Sequence, residues 1–370
     1  MNKLVLIGNG FDLAHGLKTK YTDFLLWYIN KAFEAFKSNH NYDDGLMKMF
    51  RPMNFSREEP AFSTVKEFLE RMTYLSKNYG FTYGFHHPFF TSLIKKNHKN
   101  NWVDIEAHYY AELTRLYKIT ESPNYSGDLS HLENTVDQLN ACFDLIKAQL
   151  IEHLTEIDKG TKQINTEINK HISSLIRSTK QQNEQNRNTI VSYKTIHFLN
   201  FNYTSTIEEY IDKDDTKDFC KINYIHGKLG DKNNPIIFGY GDEMDMHYEK
   251  IERLNSNKFL KNMKSFGYFR TSNYQDFSSL MDYGNQAFEV HIMGHSCGLS
   301  DRILLNSIFE HPNCKSIKIY YHQRNETEND FFEKTQEISR HFTAKGKEKM
   351  RTAIVSFQDS APLTTFVKGQ

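Results

Sequence analysis

The segment IGNGFD at residues 7–12 contains the first residues with a clear chemical use. Gly8 and Gly10 follow a short apolar run and precede an amphipathic stretch, which predicts a turn from a strand into a helix. Glycine lets the backbone turn sharply and approach a ligand, and free N–H groups at a helix start attract negative charge. Such a turn suits a phosphate group, although packing alone also requires glycine turns. Asp12 would repel a phosphate, so we expect it to hold a ribose hydroxyl instead.

Polar residues also end the next two strand-like runs. Asn200, Asn202 and Thr204 end the run HFLNFNYT, and His226 ends the run NYIHG. The carboxyl ends of parallel strands are where open α/β sheets place ligands, which gives these side chains a reason to face a cleft. An imidazole in that position has the near-neutral pKa that a general base needs. The alternative is that the Asn and Thr residues are ordinary turn and N-cap residues.

A fourth polar group occurs near the C-terminal end of the chain. Gly294, Ser296 and Gly298 follow the apolar run in HIMGHSCG, and Asp301 opens the next helical pattern. This order of strand, small residues and helix is again typical of a loop on the nucleotide side of a sheet.

Composition limits the classes of protein to consider. The chain has 370 residues, of which 38% are hydrophobic, so it can bury a sizeable core. Its 46 basic and 46 acidic residues balance, which argues against general nucleic-acid or anionic-membrane binding. The four cysteines form no C-x-x-C pair, and neither a membrane span nor a signal peptide is indicated. We therefore expect a cytoplasmic protein without a metal site.

The elements that must position these residues form an α/β pattern. Continuous apolar or β-branched runs predict strands buried on both faces of a mostly parallel, Rossmann-like sheet. These predicted strands are residues 3–8, 194–201, 221–227, 235–241, 287–294, 316–322 and 352–357. Residues 1–25 and 191–370 are expected to form a nucleotide-binding core, and residues 26–190 a mainly helical insertion after the first strand and helix.

Three helices are predicted in more detail. One carries Leu13, Leu17, Phe24 and Leu25 directly after the glycine turn. A second runs from about residue 128, with apolar residues every three or four positions, to a stop at Gly160. Residues 161–190 are polar with a thin stripe of isoleucines, which predicts an exposed helix that fades into a linker.

These motifs carry a resemblance to a known family. The segments LVLIGNGFDLAHGLKTKYTDFL, WVDIE (102–106), FNYT and IHG resemble the AbiH family of bacterial phage-abortive-infection proteins over nearly the whole chain. A more distant resemblance is to the sirtuin-like NAD-binding fold. The resemblance to that fold implies a catalytic pair, Asn202 and His226. It also implies that a set of residues binds the nucleotide: Gly8, Asn9, Gly10, Phe11, Asp12, Thr204, Gly227, Gly294 and Ser296.

The sirtuin-like resemblance implies NAD as substrate or ligand. Asp12 stands where that fold usually has a small hydroxyl residue, Lys18 replaces a proline, and Thr204 replaces an acid. Scattered cysteines leave no counterpart of the zinc module of protein-deacylating sirtuins, so deacylation is disfavoured. The expected reaction is hydrolysis of the nicotinamide–ribose bond, with His226 as general base, Asn202 orienting water and ribose, and no metal. A phage-derived trigger and a homo-oligomer are further expectations.

Alternatives remain at three places. The whole protein could be a non-catalytic sensor of a nucleotide or a phage component; a nuclease is less favoured, because no acid cluster has metal-binding spacing. Asp104, Glu106 and His108 could project into the cleft, or the acids could simply complement a helix dipole. The aromatic stretch at 79–90 could be a ligand loop, or its Phe side chains could fill the core.

Overall fold

The computed structural model describes residues 1–39, 41–51, 61–100, 104–125, 127–185, 193–282 and 286–366. Its strands are β1 (Asn2–Ile7), β2 (Asn41–Asp43), β3 (Met47–Phe50), β4 (Thr82–Phe85), β5 (Ile196–Asn200), β6 (Cys220–Tyr224), β7 (Phe288–Met293), β8 (Cys314–Tyr321) and β9 (Ala361–Pro362). Six of them form one sheet in the order β6-β5-β1-β7-β8-β9, and every neighbouring pair is parallel. The prediction that the strands near 3–8, 194–201, 221–227 and 287–294 share one parallel sheet is therefore confirmed.

The helices are α1 (Asn9–Leu13), α2 (Tyr21–Asn39), α3 (Val65–Tyr79), α4 (Pro88–Asn100), α5 (Ile105–Tyr117), α6 (Ser130–Asp158), α7 (Thr166–Gln185), α8 (Lys213–Thr216), α9 (Tyr248–Glu252), α10 (Asn257–Leu260), α11 (Lys264–Gly267), α12 (Asn273–Asp282), α13 (Arg302–Phe309), α14 (Phe331–Ser339) and α15 (Lys347–Ala353). Short 3₁₀ helices include Thr206–Tyr210 and Leu299–Asp301. In the described part of the chain, no helix combines the length and the apolar character of a membrane span.

The central strands are mainly apolar because both of their faces are covered. Every residue of β1 and of β5 is buried. On one face, α7 and the 3₁₀ helix at Thr206–Tyr210 contribute to a core with Val5 and Phe198. On the other face, α12, α13 and α14 contribute to a second core with Leu4 and Val290.

A third core, the insertion core, lies mainly in the segment between β1 and β5 and includes further side chains from residues 236–263. Helices α2 to α6 surround this core together with a small antiparallel sheet, in the order β2-β3-β4. The long helix predicted from residue 128 to Gly160 is confirmed as α6, which ends at Asp158. In the stretch at 79–90, Phe81, Phe89 and Phe90 are buried in this core, so they fill it as one of the two alternatives expected.

Four local predictions are wrong. Residues 235–241 form no strand, because their backbone pairs with loops: the Ile237 N–H donates to the His226 carbonyl, and the Tyr240 N–H donates to the Asn262 carbonyl. Ile236, Phe238 and Tyr240 enter the insertion core, whereas Ile237 enters the second core of the large sheet. Residues 352–357 also form no strand, because α15 extends to Ala353 and only an isolated bridge joins Ile354 to β8.

The third wrong prediction concerns helix α7, which was expected to be exposed. Its residues Ile168 and Ile172 are fully buried against the sheet. The helix predicted from Leu13 to Leu25 is moreover split into α1 and α2. Gly16 lies between them with φ of +73°, a left-handed conformation that ends a helix.

Candidate functional site

The carboxyl ends of four parallel strands deliver the polar residues to one edge of the sheet. Gly8 follows β1, Asn200 ends β5, His226 lies two residues beyond β6, and His295 lies two residues beyond β7. Because β6, β5, β1 and β7 are consecutive neighbours in the sheet, these residues meet at the same edge.

The glycine turn packs directly against the loop after β7. The Gly8 N–H donates to the Met293 carbonyl over 3.2 Å, and the Gly10 N–H donates to the Gly294 carbonyl over 2.8 Å. A Cβ atom added to Gly8 would lie 2.4 Å from the Cα of His295, closer than real Cβ contacts come. Gly294 has a φ of +75° and faces the same turn. The structure therefore shows a packing reason for these glycines, and their role toward a ligand stays a prediction.

The two residues between and after the glycines have separate contacts. The side chain of Asn9 is bonded to Thr19, whose hydroxyl donates to Asn9 Oδ1 over 2.5 Å. Phe11 is fully buried and its ring contacts that of Tyr210 at 5.6 Å between centroids. The Phe11 N–H donates to the Gly8 carbonyl. The backbone donors of Gly8, Gly10 and Phe11 are thus all bonded within the protein.

Asp12, Asn202 and Thr204 are joined beneath this turn. The Thr204 hydroxyl donates to Asp12 Oδ2 over 2.6 Å, and the Asn202 amide donates to the Gly8 carbonyl over 3.0 Å. Burial raises the pKa of Asp12 to about 6, although the hydrogen bond from Thr204 opposes this. The second carboxylate oxygen of Asp12 is buried and has no partner.

A buried group of ionisable side chains, the edge cluster, lies at the same edge of the sheet. We define it as Glu106, His226, Lys264, His295 and Asp301. Lys264 Nζ lies 2.8 Å from Asp301 Oδ1 and 3.2 Å from Glu106 Oε1. His226 Nε2 lies 3.2 Å from Asp301 Oδ1, and His295 Nε2 lies 3.7 Å from Asp301 Oδ2. Three side chains, Lys264, His226 and His295, therefore converge on the Asp301 carboxylate, and Glu106 joins them through Lys264.

Local structure places each member of the edge cluster. Glu106 is in the first turn of α5, after Asp104 has capped that helix by accepting from the Ala107 N–H. Lys264 begins α11, and its own N–H donates to the Tyr240 carbonyl over 3.0 Å. Asp301 is carried by the 3₁₀ helix that follows the β7 loop.

The ring of His295 is oriented by its own loop. Its Nδ1 accepts the N–H of Cys297 over 3.0 Å, so a neutral ring carries its proton on Nε2, the nitrogen that faces Asp301. Cys297 adopts φ of +56°, a left-handed conformation that is uncommon outside glycine. Burial lowers the pKa of His295 to about 3, which keeps the ring neutral.

The two acids of the edge cluster, Asp301 and Glu106, have pKa values that are shifted in opposite directions. Burial raises the pKa of Asp301, but the Lys264 ammonium and the two imidazoles outweigh burial and hold it well below its usual value. Burial raises the pKa of Glu106 to about 7, with Lys264 opposing. Burial and the nearby Lys264 lower the pKa of His226. Asp301 is therefore ionised at neutral pH, His226 is neutral, and Glu106 is close to its midpoint.

The structure brings the predicted pair of Asn202 and His226 to one edge, but their side chains have different partners: Asn202 donates to the Gly8 carbonyl, and His226 faces Asp301. The ring of Phe201 lies 5.2 Å from the ring of His226 and 4.1 Å from that of His295. Gly227 is next to His226 with φ of +89°, and a Cβ there would lie 2.3 Å from the Pro235 carbonyl oxygen. Ser296 is exposed.

The three polar residues of the 104–108 segment have three different roles. Asp104 caps α5, as expected of an acid that complements a helix start, whereas Glu106 reaches the edge cluster. His108 turns away, to Ser92 and Lys96. Trp102 and Val103 of the same motif lie outside the described residues.

Sequence reasoning missed Lys264 and His295 as members of the site. No motif surrounds Lys264, and lysines are mostly exposed, so no sequence signal pointed to its burial. His295 was visible as a second histidine after a strand, in the same position as His226. Asp301 was noticed only as the opening of a helix. Over the described residues, no group of three or more His, Cys, Asp or Glu side chains could hold a metal ion.

The fold and this edge define an α/β protein with a parallel sheet and a buried ionisable site at the carboxyl ends of its strands. The family model described as bacteriophage abortive infection AbiH matches residues 4–323. The chain belongs to the AbiH family and is a bacteriophage abortive infection protein, which confirms the resemblance drawn from its motifs. A search of curated proteins gave no match.

Proposed function

We propose that this abortive infection protein hydrolyses the bond between ribose and nicotinamide in NAD, with the edge cluster as its active site. The observation that carries the proposal is the pairing of His226 with an ionised Asp301 at the carboxyl edge of a parallel sheet. Ionisable groups whose pKa values are driven apart in one buried place are typical of active sites. Their concentration at this edge of the sheet supports a reaction there.

The chemistry follows from the state of each group. The nicotinamide–ribose bond breaks to release neutral nicotinamide and leaves an oxocarbenium-like ribose, to which a water molecule adds. His226, neutral because burial lowers its pKa, accepts a proton from that water. The ionised Asp301 stabilises the imidazolium that forms. The products are nicotinamide, ADP-ribose and one proton.

The glycine turn, as it is arranged in the structure, is not assigned to the diphosphate of NAD. The N–H groups of Gly8, Gly10 and Phe11 already donate to protein carbonyls, so they do not fit a diphosphate in the arrangement described. Asn202 likewise has its amide bonded to the Gly8 carbonyl. The proposal therefore assigns residues only to the ribose and nicotinamide end of NAD.

A direct assay tests the proposal. Purified protein is incubated with NAD, with and without lysate of phage-infected cells, and released nicotinamide is quantified by chromatography. We expect triggered wild type to release nicotinamide and His226→Asn to lose about 100-fold or more of that rate. The matched control is His86→Asn, because His86 also pairs with an aspartate, Asp43 at 2.8 Å, but lies beside the small antiparallel sheet. A wild type that stays silent under triggering conditions contradicts the proposal.

A second candidate is a sensor that binds a nucleotide without turnover. It is favoured by the burial of His226, which is only 4% exposed and so gives a water molecule little access to the proposed general base. Calorimetry with NAD separates the two candidates, because a sensor binds NAD and releases no nicotinamide. Both candidates place the protein in the cytoplasm, with a phage-derived trigger, and both allow self-association.

A further inference from the structure

The segment between β1 and β5 contributes one residue to the edge cluster. Glu106, in the first turn of α5, is the member of the cluster that comes from this segment. Its Oε1 accepts the Gly239 N–H over 3.1 Å and lies 3.2 Å from Lys264 Nζ. Gly239 is in turn tightly packed, since a Cβ there would lie 2.0 Å from the Asn262 carbonyl oxygen. Glu106 is therefore held in place by backbone as well as by charge.

Lys264 connects Glu106 to Asp301, and so to the rest of the edge cluster. Its side chain is only 1% exposed, and its ammonium lies between the carboxylates of Glu106 and Asp301. A buried lysine needs such partners, because an uncompensated buried charge is strongly destabilising. Asp301 then contacts His226, so the order of contacts is Glu106, Lys264, Asp301, His226.

We propose that Glu106 is a positioning residue of the site, acting through Lys264 on Asp301 and His226. The role of Glu106 in a reaction rests on the function proposed above for His226. The contacts from Glu106 through Lys264 and Asp301 to His226 are observed and do not depend on that function. When Glu106 is ionised, it shares the ammonium of Lys264 with Asp301. When Glu106 is neutral, Lys264 is balanced by Asp301 alone, and the surroundings of His226 become more positive. Protonation of His226 then becomes less favourable.

The charged and titratable groups around Glu106 and His226, the two ends of this contact order, are buried or partly buried. Glu106 faces Lys264, Asp301 and Asp104, together with the hydroxyls of Tyr21 and Tyr203. His226 faces Asp301, Lys264, His295 and the hydroxyl of Tyr268. Burial raises the pKa of Glu106 to about 7, so this carboxyl group can change charge near neutral pH.

The test compares two substitutions on the same helix. Glu106→Gln keeps the shape and the acceptor for the Gly239 N–H but removes the charge. The matched control is Glu112→Gln, because Glu112 is also on α5 but pairs with Arg115 at the surface. The ring nitrogens of His226 are followed by nitrogen-15 NMR from pH 5 to 8.5, with His226→Asn used for assignment. Melting temperatures confirm that each variant folds.

We expect the ring-nitrogen shifts of His226 in wild type and in Glu112→Gln to show a step near pH 7, where Glu106 titrates, and Glu106→Gln to lose that step. The midpoint of His226 itself should move little, because Glu106 is already mostly neutral at the lower pH where His226 protonates. The pH profile of nicotinamide release should lose an inflection at the same pH as the ring shifts. Ring shifts that are identical in wild type and a folded Glu106→Gln protein would overturn the positioning role. If no variant releases nicotinamide, the proposed hydrolysis fails, while the NMR result still decides whether Glu106 acts on His226.

Discussion

The carboxylate of Asp12 should make the protein less stable as the pH rises. Asp12 is 1% exposed, and one of its oxygens has no partner. Burial raises its pKa from 3.8 to about 6 in the folded state. At about 1.4 kcal/mol for each unit of pKa, ionised Asp12 lowers the free energy of unfolding by about 3 kcal/mol. This loss begins above pH 4 and is complete above pH 7, because the folded pKa is the higher one.

The substitution Asp12→Asn removes this dependence on pH. The Asn side chain can still accept from Thr204, and its amide nitrogen replaces the oxygen without a partner, which adds a cost that is constant with pH. We therefore expect the free energy of unfolding of the variant, relative to wild type, to increase by about 2 kcal/mol between pH 4.5 and pH 8. Urea unfolding at both pH values measures this difference, and the other titrating groups cancel in the comparison.

The control is Asp137→Asn on α6, where the carboxylate is 51% exposed and pairs with Lys258 at the surface. Exposed ion pairs contribute at most about 1 kcal/mol, so this variant should differ from wild type by a small amount at both pH values. The reasoning is refuted if Asp12→Asn also shows the same difference from wild type at pH 4.5 and pH 8. Asp12 would then be ionised in the fold without a penalty.

Two further substitutions test the packing of the same edge. Gly8→Ala should lower the free energy of unfolding by about 1–3 kcal/mol, because its Cβ would lie 2.4 Å from the Cα of His295. In the control Gly16→Ala, the added Cβ meets no atom within 4 Å, so only the left-handed backbone conformation is penalised. If Gly8→Ala instead keeps its stability but binds NAD more weakly, Gly8 has a ligand role. Lys264→Met should cost about 3–5 kcal/mol in urea unfolding, because two buried carboxylates lose their cation; an unchanged unfolding midpoint contradicts this.

The parallel sheet and the place of the candidate site at its carboxyl edge were predictable, because buried parallel strands have a recognisable sequence pattern. Strands buried on both faces are continuous apolar runs, and their carboxyl ends lie at one edge, which places Asn202 and His226 together. Residues 235–241 show where this reasoning fails. Their run of apolar residues is like that of a buried strand, but it results from a segment passing between two cores, which only the tertiary structure defines.

The ionic part of the site could not be predicted from the sequence. Lys264 is buried because it meets Asp301, 37 residues later in the chain, and Glu106, 158 residues earlier. Neither distance has a periodicity that a local pattern reveals, and each residue alone is typical of a solvated surface. The burial of α7 was missed for a related reason, because a thin apolar stripe on a polar helix gives no measure of what covers it.

The central position of β1 has a consequence for how the chain matures on the ribosome. Lys3 pairs with Ile196 of β5 on one side and with Glu289 of β7 on the other. Strand β1 is therefore synthesised before either of the strands with which it pairs. At about 5–20 residues per second, its first partner emerges roughly 10 s or more after it. Until then, β1 is an apolar segment with no sheet to join, which favours chaperone contact during synthesis. Asp301 is made later still, so a nascent chain that stops before it has no complete edge cluster and is expected to lack the proposed hydrolysis.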